Sequence, residues 1–334
     1  MRRTLYFIVA IFLVSTSCLP SEKKAEKTGV KVAITPFLGE AATFIALEKG
    51  FFEQEGLAVE LHKNRAGKHS FRQLLNEEVD IAHTSETPVS YGLLDSTYYV
   101  GNRQPDIVLF ADMMFSNEIQ KVIARRDKGI SKPEDIIGKT VGYYQGTQSD
   151  YHLSSFLLEH QIPADSITTV HIAPEKQVEA LKNGTIDVMV NWEPHPSNAL
   201  SILADKAIEL ETRLTYSTLW LAIARREFAE QNTNILIKYL SALKKAQRYI
   251  DEHPKETVKV LSQNINVSEE VIREIRGQIS YQLSLSERML LILEDQNRWM
   301  NREEITTTKN YNFRKHIYTE PMQEVYPEGI TIIR

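Results

Sequence analysis

Four carboxylates lie close to the ends of predicted strands: Glu86, Asp112, Asp150 and Glu193. No arginine occupies such a position as clearly. Carboxylates there suit charge-assisted hydrogen bonds to a solute carrying amino groups, with Glu86 and Glu193 the leading pair. Buried carboxylates would repel an oxyanion. Each can equally be a side chain held by the dipole of a helix starting beside it. Gly146-Thr147-Gln148-Ser149 opens a predicted helix whose first N–H groups could receive an anion. Capping of that helix by Thr147 or Ser149 is the alternative. Phe37, Tyr143, Tyr144 and Trp192 offer flat faces to a planar or methyl-bearing solute, or pack in the core. Arg65 and Lys68 are the cations that would favour an oxyanion instead.

Covalent and metal chemistry find no support. The chain has no Gly-x-Ser-x-Gly, no Gly-x-x-x-x-Gly-Lys-Ser/Thr and no His-Glu-x-x-His. Its nine histidines are scattered, and His195 reads as a surface-loop residue. One cysteine excludes an intramolecular disulfide framework and any Cys-cluster metal site. No catalytic residue, metal or cofactor is therefore expected. A formal net charge of −5 gives no sign of nucleic-acid binding. With 42% hydrophobic and 25% charged residues the chain is globular, and 334 residues suggest two domains.

The N-terminus carries an address. Arg2 and Arg3 precede an apolar run from Leu5 to Val14, then Ser15-Thr16-Ser17 and the single cysteine, Cys18. This is the form of a secretory signal, and the run is short of the ~20 residues of a spanning helix. The cysteine at its exit resembles a bacterial lipobox. Residues 1–17 are expected to be removed, Cys18 to carry lipid, and 18–29 to form a flexible tether.

Elements that could position a site follow. Val30–Ile34, Leu57–Leu61, Val79–Ala82 and Ile107–Ala111 read as strands, with helices after Thr35-Pro36 and over Phe71–Leu75. Ser131 and Glu134 form a predicted capping box. Thr140–Tyr144, Thr168–Ile172 and Ile186–Asn191 are strands alternating with helices at Gln148–His160 and Val178–Leu181. Such alternation implies parallel sheets with right-handed crossovers. Ser217–Ala224 is an apolar strand expected to return to the first unit, and helices follow from Asn232, one of them opened by Ser268 with a Val267/Ile272 staple. Leu75–Ile81 also echoes Lys182–Val188, which places Glu86 opposite Glu193 just beyond two strand ends. In open α/β sheets ligands bind outside such ends.

Several segments resemble the opening and later signatures of one group of ABC-importer solute-binding proteins, the group handling nitrate, sulfonates, taurine and thiamine-pyrimidine precursors. They are Phe44-Ile45-Ala46-Leu47-Glu48-Lys49-Gly50-Phe51-Phe52, Ser131-Lys132-Pro133-Glu134-Asp135, Leu181-Lys182-Asn183-Gly184-Thr185-Ile186-Asp187 with Asn191-Trp192-Glu193-Pro194, and Pro327-Glu328-Gly329. Asn76-Glu77 stands where the group usually has Ser-Gly. The resemblance implies an α/β, two-lobed periplasmic-binding-protein type II fold. Each lobe would be a mixed, mostly parallel sheet flanked by helices, with a ligand cleft between them. Lobe one would comprise 30–113 and 216–334, and lobe two 114–215.

The group's ligand loops fall on Thr35-Pro36-Phe37, Ser85-Glu86-Thr87, Gly146-Thr147-Gln148-Ser149 and Asn191-Trp192-Glu193. Asp112 at the crossing and Tyr144 join them as candidates. The expected activity is non-enzymatic: a lipid-anchored monomer outside the cytoplasmic membrane that hands one small organic solute to importer permease subunits. The carboxylates lean the solute toward an aminopyrimidine or amine. A sulfonate, taurine or nitrate ligand is the alternative, with a solute-sensing lobe for a membrane receptor or a pyrimidine-synthesising enzyme beyond that.

Overall fold

A computed structural model describes residues 27–99, 103–212 and 216–332. The leader 1–17, Cys18 and the tether to residue 26 lie outside the described residues.

The first sheet begins with β1 (Thr28–Ile34), whose buried face alternates with exposed positions before the strand runs fully into the core. Helices α1 (Ala41–Glu48) and α2 (Phe51–Gln54) meet at Gly50 and lead to β2 (Leu57–Lys63). Then come α3 (Gly67–Leu75), β3 (Ile81–Thr84), α4 (Glu86–Leu94) and β4 (Ile107–Ser116). The chain crosses to a second sheet through β5 (Gln120–Arg125), β6 (Thr140–Tyr143), α5 (Gln148–Glu159), β7 (Thr168–His171) and α6 (Pro174–Asn183). It continues with β8 (Val188–Trp192), α7 (His195–Leu203) and β9 (Ala207–Glu209). It returns as β10 (Thr218–Arg225), and the helices α8 (Arg226–Gln231), α9 (Thr233–Glu252), α10 (Pro254–Ile265), α11 (Glu269–Ile275), α12 (Glu287–Arg302) and α13 (Glu320–Val325) follow.

The two five-stranded sheets have matching topology, β2-β1-β3-β10-β4 and β7-β6-β8-β5-β9. In each, three parallel strands are followed by an antiparallel one, which is β10 in the first sheet and β5 in the second. Both sheets are covered on two faces. In the second sheet Val122, Ala124, Val188 and Val190 pack to one side, and Ile123 and Met189 to the other. Alternation of this kind follows from the two-residue period of a strand buried on both faces.

The internal echo is structural. Glu77 and Gly184 occupy equivalent helix ends with φ of 60° and 80°, each N–H bonding a carbonyl of the preceding turn. The Asp80 and Asp187 carboxylates accept from the Lys31 and Thr140 N–H groups at 2.8 and 3.0 Å. Each aspartate thus ties the start of one strand to its parallel neighbour. Exposed Glu77 holds the left-handed conformation that glycine adopts without strain. Glu77→Gly is expected to stabilise the protein by about 1 kcal/mol, read as a higher urea midpoint at unchanged slope.

Two local differences from the sequence reading have clear causes. The predicted capping box is a single 3₁₀ turn (Pro133–Ile136) starting at Pro133, so its third position falls on Asp135 rather than Glu134. Asp135 accepts from the Ser131 N–H and hydroxyl at 2.9 Å each. Helix α4 gave no periodic signal because every residue from Glu86 to Leu94 is buried, and a helix buried all round needs no separate polar and apolar stripes. The strands β5 and β9 and the helix α7 were also absent from the reading.

Candidate functional site

Strands β1, β3 and β8 end at a common gap between the sheets. A pocket of about 20 Å3 lies there, lined by Thr35, Phe37, Ala66, Gly67, Ser85, Pro88, Thr147, Gln148, Trp192 and Trp220. It opens to an outer vestibule of about 320 Å3 that shares Thr35, Phe37 and Trp192 and adds Pro36, Arg65, Glu175, Pro194 and His195. The inner volume suits one compact polar group, since a single water needs about 10–15 Å3 on the same measure.

Three helix N-termini converge on this pocket: α3 through Ala66 and Gly67, α4 through Ser85 and Pro88, and α5 through Thr147 and Gln148. None has a side-chain cap on its N-cap residue. The capping alternative fails at α5 because the Thr147 hydroxyl donates to the Tyr144 carbonyl and the Ser149 hydroxyl to the Val190 carbonyl. The Thr35 hydroxyl is buried without a partner. Helix N-termini carry partial positive charge and unpaired N–H groups, so three together favour an anion. Gly67 is required by close packing: a Cβ there would stand 3.0 Å from the Thr84 Cα.

Aromatic side chains close the pocket. Trp220 meets Phe37 edge-on at 4.4 Å, and its indole N–H donates to Glu40 at 2.8 Å. Glu40 is held by His83 at 2.9 Å, and His83 by Tyr239 at 3.0 Å. Sequence reasoning missed Ala66, Gly67, Pro88 and Trp220. Trp220 lies in mid-strand, where the apolar run marked only a core residue.

The remaining candidates stand apart from the pocket, each for a visible reason. Glu86 lies behind Gln148, its carboxylate accepting from the Gln148 amide at 3.1 Å, the Leu219 N–H at 3.0 Å and the Tyr216 hydroxyl. Burial pushes its carboxyl up to about 7 against the downward pull of those donors. The Thr87 hydroxyl accepts from Gln296 at 2.9 Å. Asp112, 2% exposed, accepts from the Trp220 and Met114 N–H groups at 3.3 Å each, and burial raises its pKa. Asn191 spends its amide on the Pro174 carbonyl and the Trp192 N–H. Glu193 turns to Ser197, accepting from its N–H and hydroxyl at 3.1 and 2.9 Å, and to Lys121 at 3.4 Å. The paired carboxylates expected to grip an amine are therefore committed inside the protein. Gly146 donates to Asp150 at 2.9 Å. His195 is not a surface-loop residue: it opens α7, lines the vestibule, and burial pushes it down to about 4.

Contacts across the gap hold the two sheets' units together. Lys68 donates to the Gln145 carbonyl at 2.7 Å and stands 3.6 Å over the Tyr144 ring. Tyr144 stacks on His171 of its own unit at 4.9 Å and meets Lys68 and His69 of the other, so it is a contact between the units and lines neither cavity. Burial pushes the Lys68 amine down to about 8. The Tyr91 hydroxyl donates to Asp150 at 2.8 Å, and Arg65 pairs with Glu175 at 2.7 Å. The Arg65–Glu175 pair is about half exposed, so Arg65→Ala is expected to weaken ligand binding by no more than about fivefold, and less at high salt. Titrations at two salt concentrations read this directly.

The fold and site define a class of protein. A family model described as "NMT1/THI5 like" matches residues 40–257, and the chain belongs to that family. It is 23% identical over 287 residues to a putative aliphatic sulfonates-binding protein of Bacillus subtilis (strain 168), covering 82% of each. It is 26% identical over 216 residues to the taurine-binding periplasmic protein of Escherichia coli (strain K12), covering 63% of each. In fold it resembles the alkanesulfonate-binding protein SsuA of Xanthomonas axonopodis pv. citri bound to MOPS. The TM-score is 0.74 at 15% identity, over 88% of this chain and 99% of that one. The chain has the periplasmic-binding-protein fold expected from its sequence, and its relatives are binding proteins for small solutes.

Proposed function

We propose that this protein is an exported solute-binding protein that captures a small organic sulfonate, or a related oxyanion, and presents it to an ABC importer. One observation carries the choice of ligand: three uncapped helix N-termini meet in one pocket, while Glu86 and Glu193 face away from it. The alternative ligand weighed from the sequence is therefore preferred to the aminopyrimidine or amine. The relatives named for sulfonates and taurine support it.

The division of labour follows from the chain path. Lobe one takes 30–113 and 216–334, lobe two takes 114–215, and the two crossings between them act as the hinge. An oxyanion enters the inner pocket, its organic tail lies in the vestibule between Phe37 and Trp192, and contacts such as Lys68–Gln145 form as the lobes meet. The closed monomer is the form that permease subunits recognise. Lipid at Cys18 and the 18–29 tether keep it beside the membrane. Among the described residues no helix is long and apolar enough to cross a membrane.

Calorimetric titration of the tether-free protein with methanesulfonate, taurine, nitrate, an aminopyrimidine and ethylamine tests the reading. The sulfonates are expected to bind one per chain. Binding of the aminopyrimidine or the amine, with no response to any oxyanion, rejects the choice of ligand. Radiolabelled palmitate incorporation that disappears in Cys18→Ser tests the anchor.

A further inference from the structure

Away from the cleft, α5 and α12 flank a groove of about 370 Å3, lined in part by Tyr151, His152, Phe156, Tyr216, Arg288 and Leu291. Its volume falls in the range of small-molecule sites, about 300–1,000 Å3. The solute reading makes no use of it.

One side chain in it lacks hydrogen-bond partners and another lacks an ion pair among the described residues. His152 is 5% exposed, and both its ring nitrogens are buried without a hydrogen bond. Such atoms are costly to leave unmade. Burial pushes the imidazole down to about 4, so at neutral pH it offers one N–H donor and one acceptor nitrogen. Arg288 is exposed at the mouth, its guanidinium 4.1 Å from the Phe115 ring centroid. It makes no ion pair within 4 Å among the described residues, although its charge acts on the buried Asp112 carboxyl. Asp295 pairs with Arg298 at 3.2 Å and accepts the Tyr151 hydroxyl, and Glu159 stands 3.6 Å from His160 Nε2, which also faces the Glu211 carbonyl at 3.0 Å. Between mouth and floor the walls are aromatic and aliphatic, including Leu291 at 57% exposure.

We propose that this groove is a second ligand site, separate from the cleft, for a small carboxylate with an aromatic body and a hydroxyl at its far end. Arg288 meets the carboxylate at the mouth, where a guanidinium binds it in a two-point fork. The ring lies against Phe156 and Leu291. The hydroxyl reaches His152, which supplies the hydrogen bond that the protein leaves unmade. Because α5 belongs to one unit of the fold and α12 packs on the other, the site is complete only when the two stand as they do here.

The test is calorimetry on the whole protein with 4-hydroxyphenylacetate, phenylacetate and 4-hydroxyphenylacetamide, with and without saturating methanesulfonate. The hydroxy acid is expected to bind one per chain in both conditions, about tenfold more tightly than either analogue. Arg288→Gln should erase the preference for acid over amide, and His152→Phe the preference for the hydroxyl. His152→Leu, which likewise carries no donor or acceptor, serves if the phenylalanine variant does not fold. Absence of saturable binding at millimolar hydroxy acid, displacement by methanesulfonate, or unchanged preferences in both variants overturns the proposal. Methanesulfonate binding is read in its own titration, so failure of either site leaves the other judged separately.

Discussion

Glu86→Ala is expected to lower the melting temperature by about 10 °C and to weaken solute binding by more than tenfold. The carboxylate lies fully buried where three parts of the chain meet: the start of α4, the Leu219 N–H on β10 and the Gln148 amide at the start of α5. Its removal strands two of those donors and the Tyr216 hydroxyl in a dry interior. Each unmade bond costs about 1–3 kcal/mol, and about 1 kcal/mol corresponds to 2–4 °C in a domain of this size. Binding suffers as well because Gln148 lines the pocket and loses its anchor on the other side of the gap. Differential scanning calorimetry and solute titration measure the two effects. A variant that melts with the native protein would show that Glu86 is not the anchor described.

The same residue has a pH signature. Its carboxyl is pushed from 4.5 up to about 7, chiefly by burial. A carboxyl that holds its proton more tightly when folded contributes stability that is complete below about pH 4.5. That contribution is lost as the pH rises through 7. At 1.36 kcal/mol per unit the loss is about 3 kcal/mol over that window. Urea unfolding of Glu86→Gln should lack this part of the slope while retaining the parts due to Asp112, Asp150 and Glu193, whose pKa values are also raised by burial. Parallel stability curves for the two proteins would refute the assignment.

The second large effect concerns Trp192, which is 8% exposed and is shared by the inner pocket and the vestibule. Trp192→Ala is expected to weaken methanesulfonate binding about 100-fold, or about 2.7 kcal/mol, as buried tryptophans at binding sites commonly do. The loss should grow with the size of the sulfonate's tail and be smallest for nitrate, which has no tail to lie along the indole. Trp192→Phe, keeping a flat apolar wall, should recover most of the affinity. Dissociation constants within threefold of the native value across this series would remove Trp192 from the site.

Much of this architecture was legible before folding was considered. The alternation of β1, β2 and β3 with helices, the return of β10 and the cap at Ser268 all depend on local apolar periods and caps, which a single chain displays. The echo between Leu75–Ile81 and Lys182–Val188 was visible as residues and became two equivalent helix ends and two strand-tying aspartates. Of the site, Thr35, Phe37, Ser85, Thr147, Gln148 and Trp192 reach the inner pocket and Pro36 the vestibule. All seven were picked out by family likeness at strand ends.

A glutamate beside a strand end reads the same whether it faces a ligand or its own chain, and only packing separates the two. The sequence by itself determined the alternation of strands and helices through β1–β3 and β6–β8 and the return of β10, because those properties follow from nearest-neighbour chemistry, while the meeting of the loops after β1, β3 and β8 was implied by the family resemblance. The tertiary structure decided that Glu86 and Glu193 are consumed by internal donors, that Trp220 is turned into the pocket through Glu40, and that three helix N-termini point at one space. Those facts depend on which distant side chains become neighbours, and no local pattern records that.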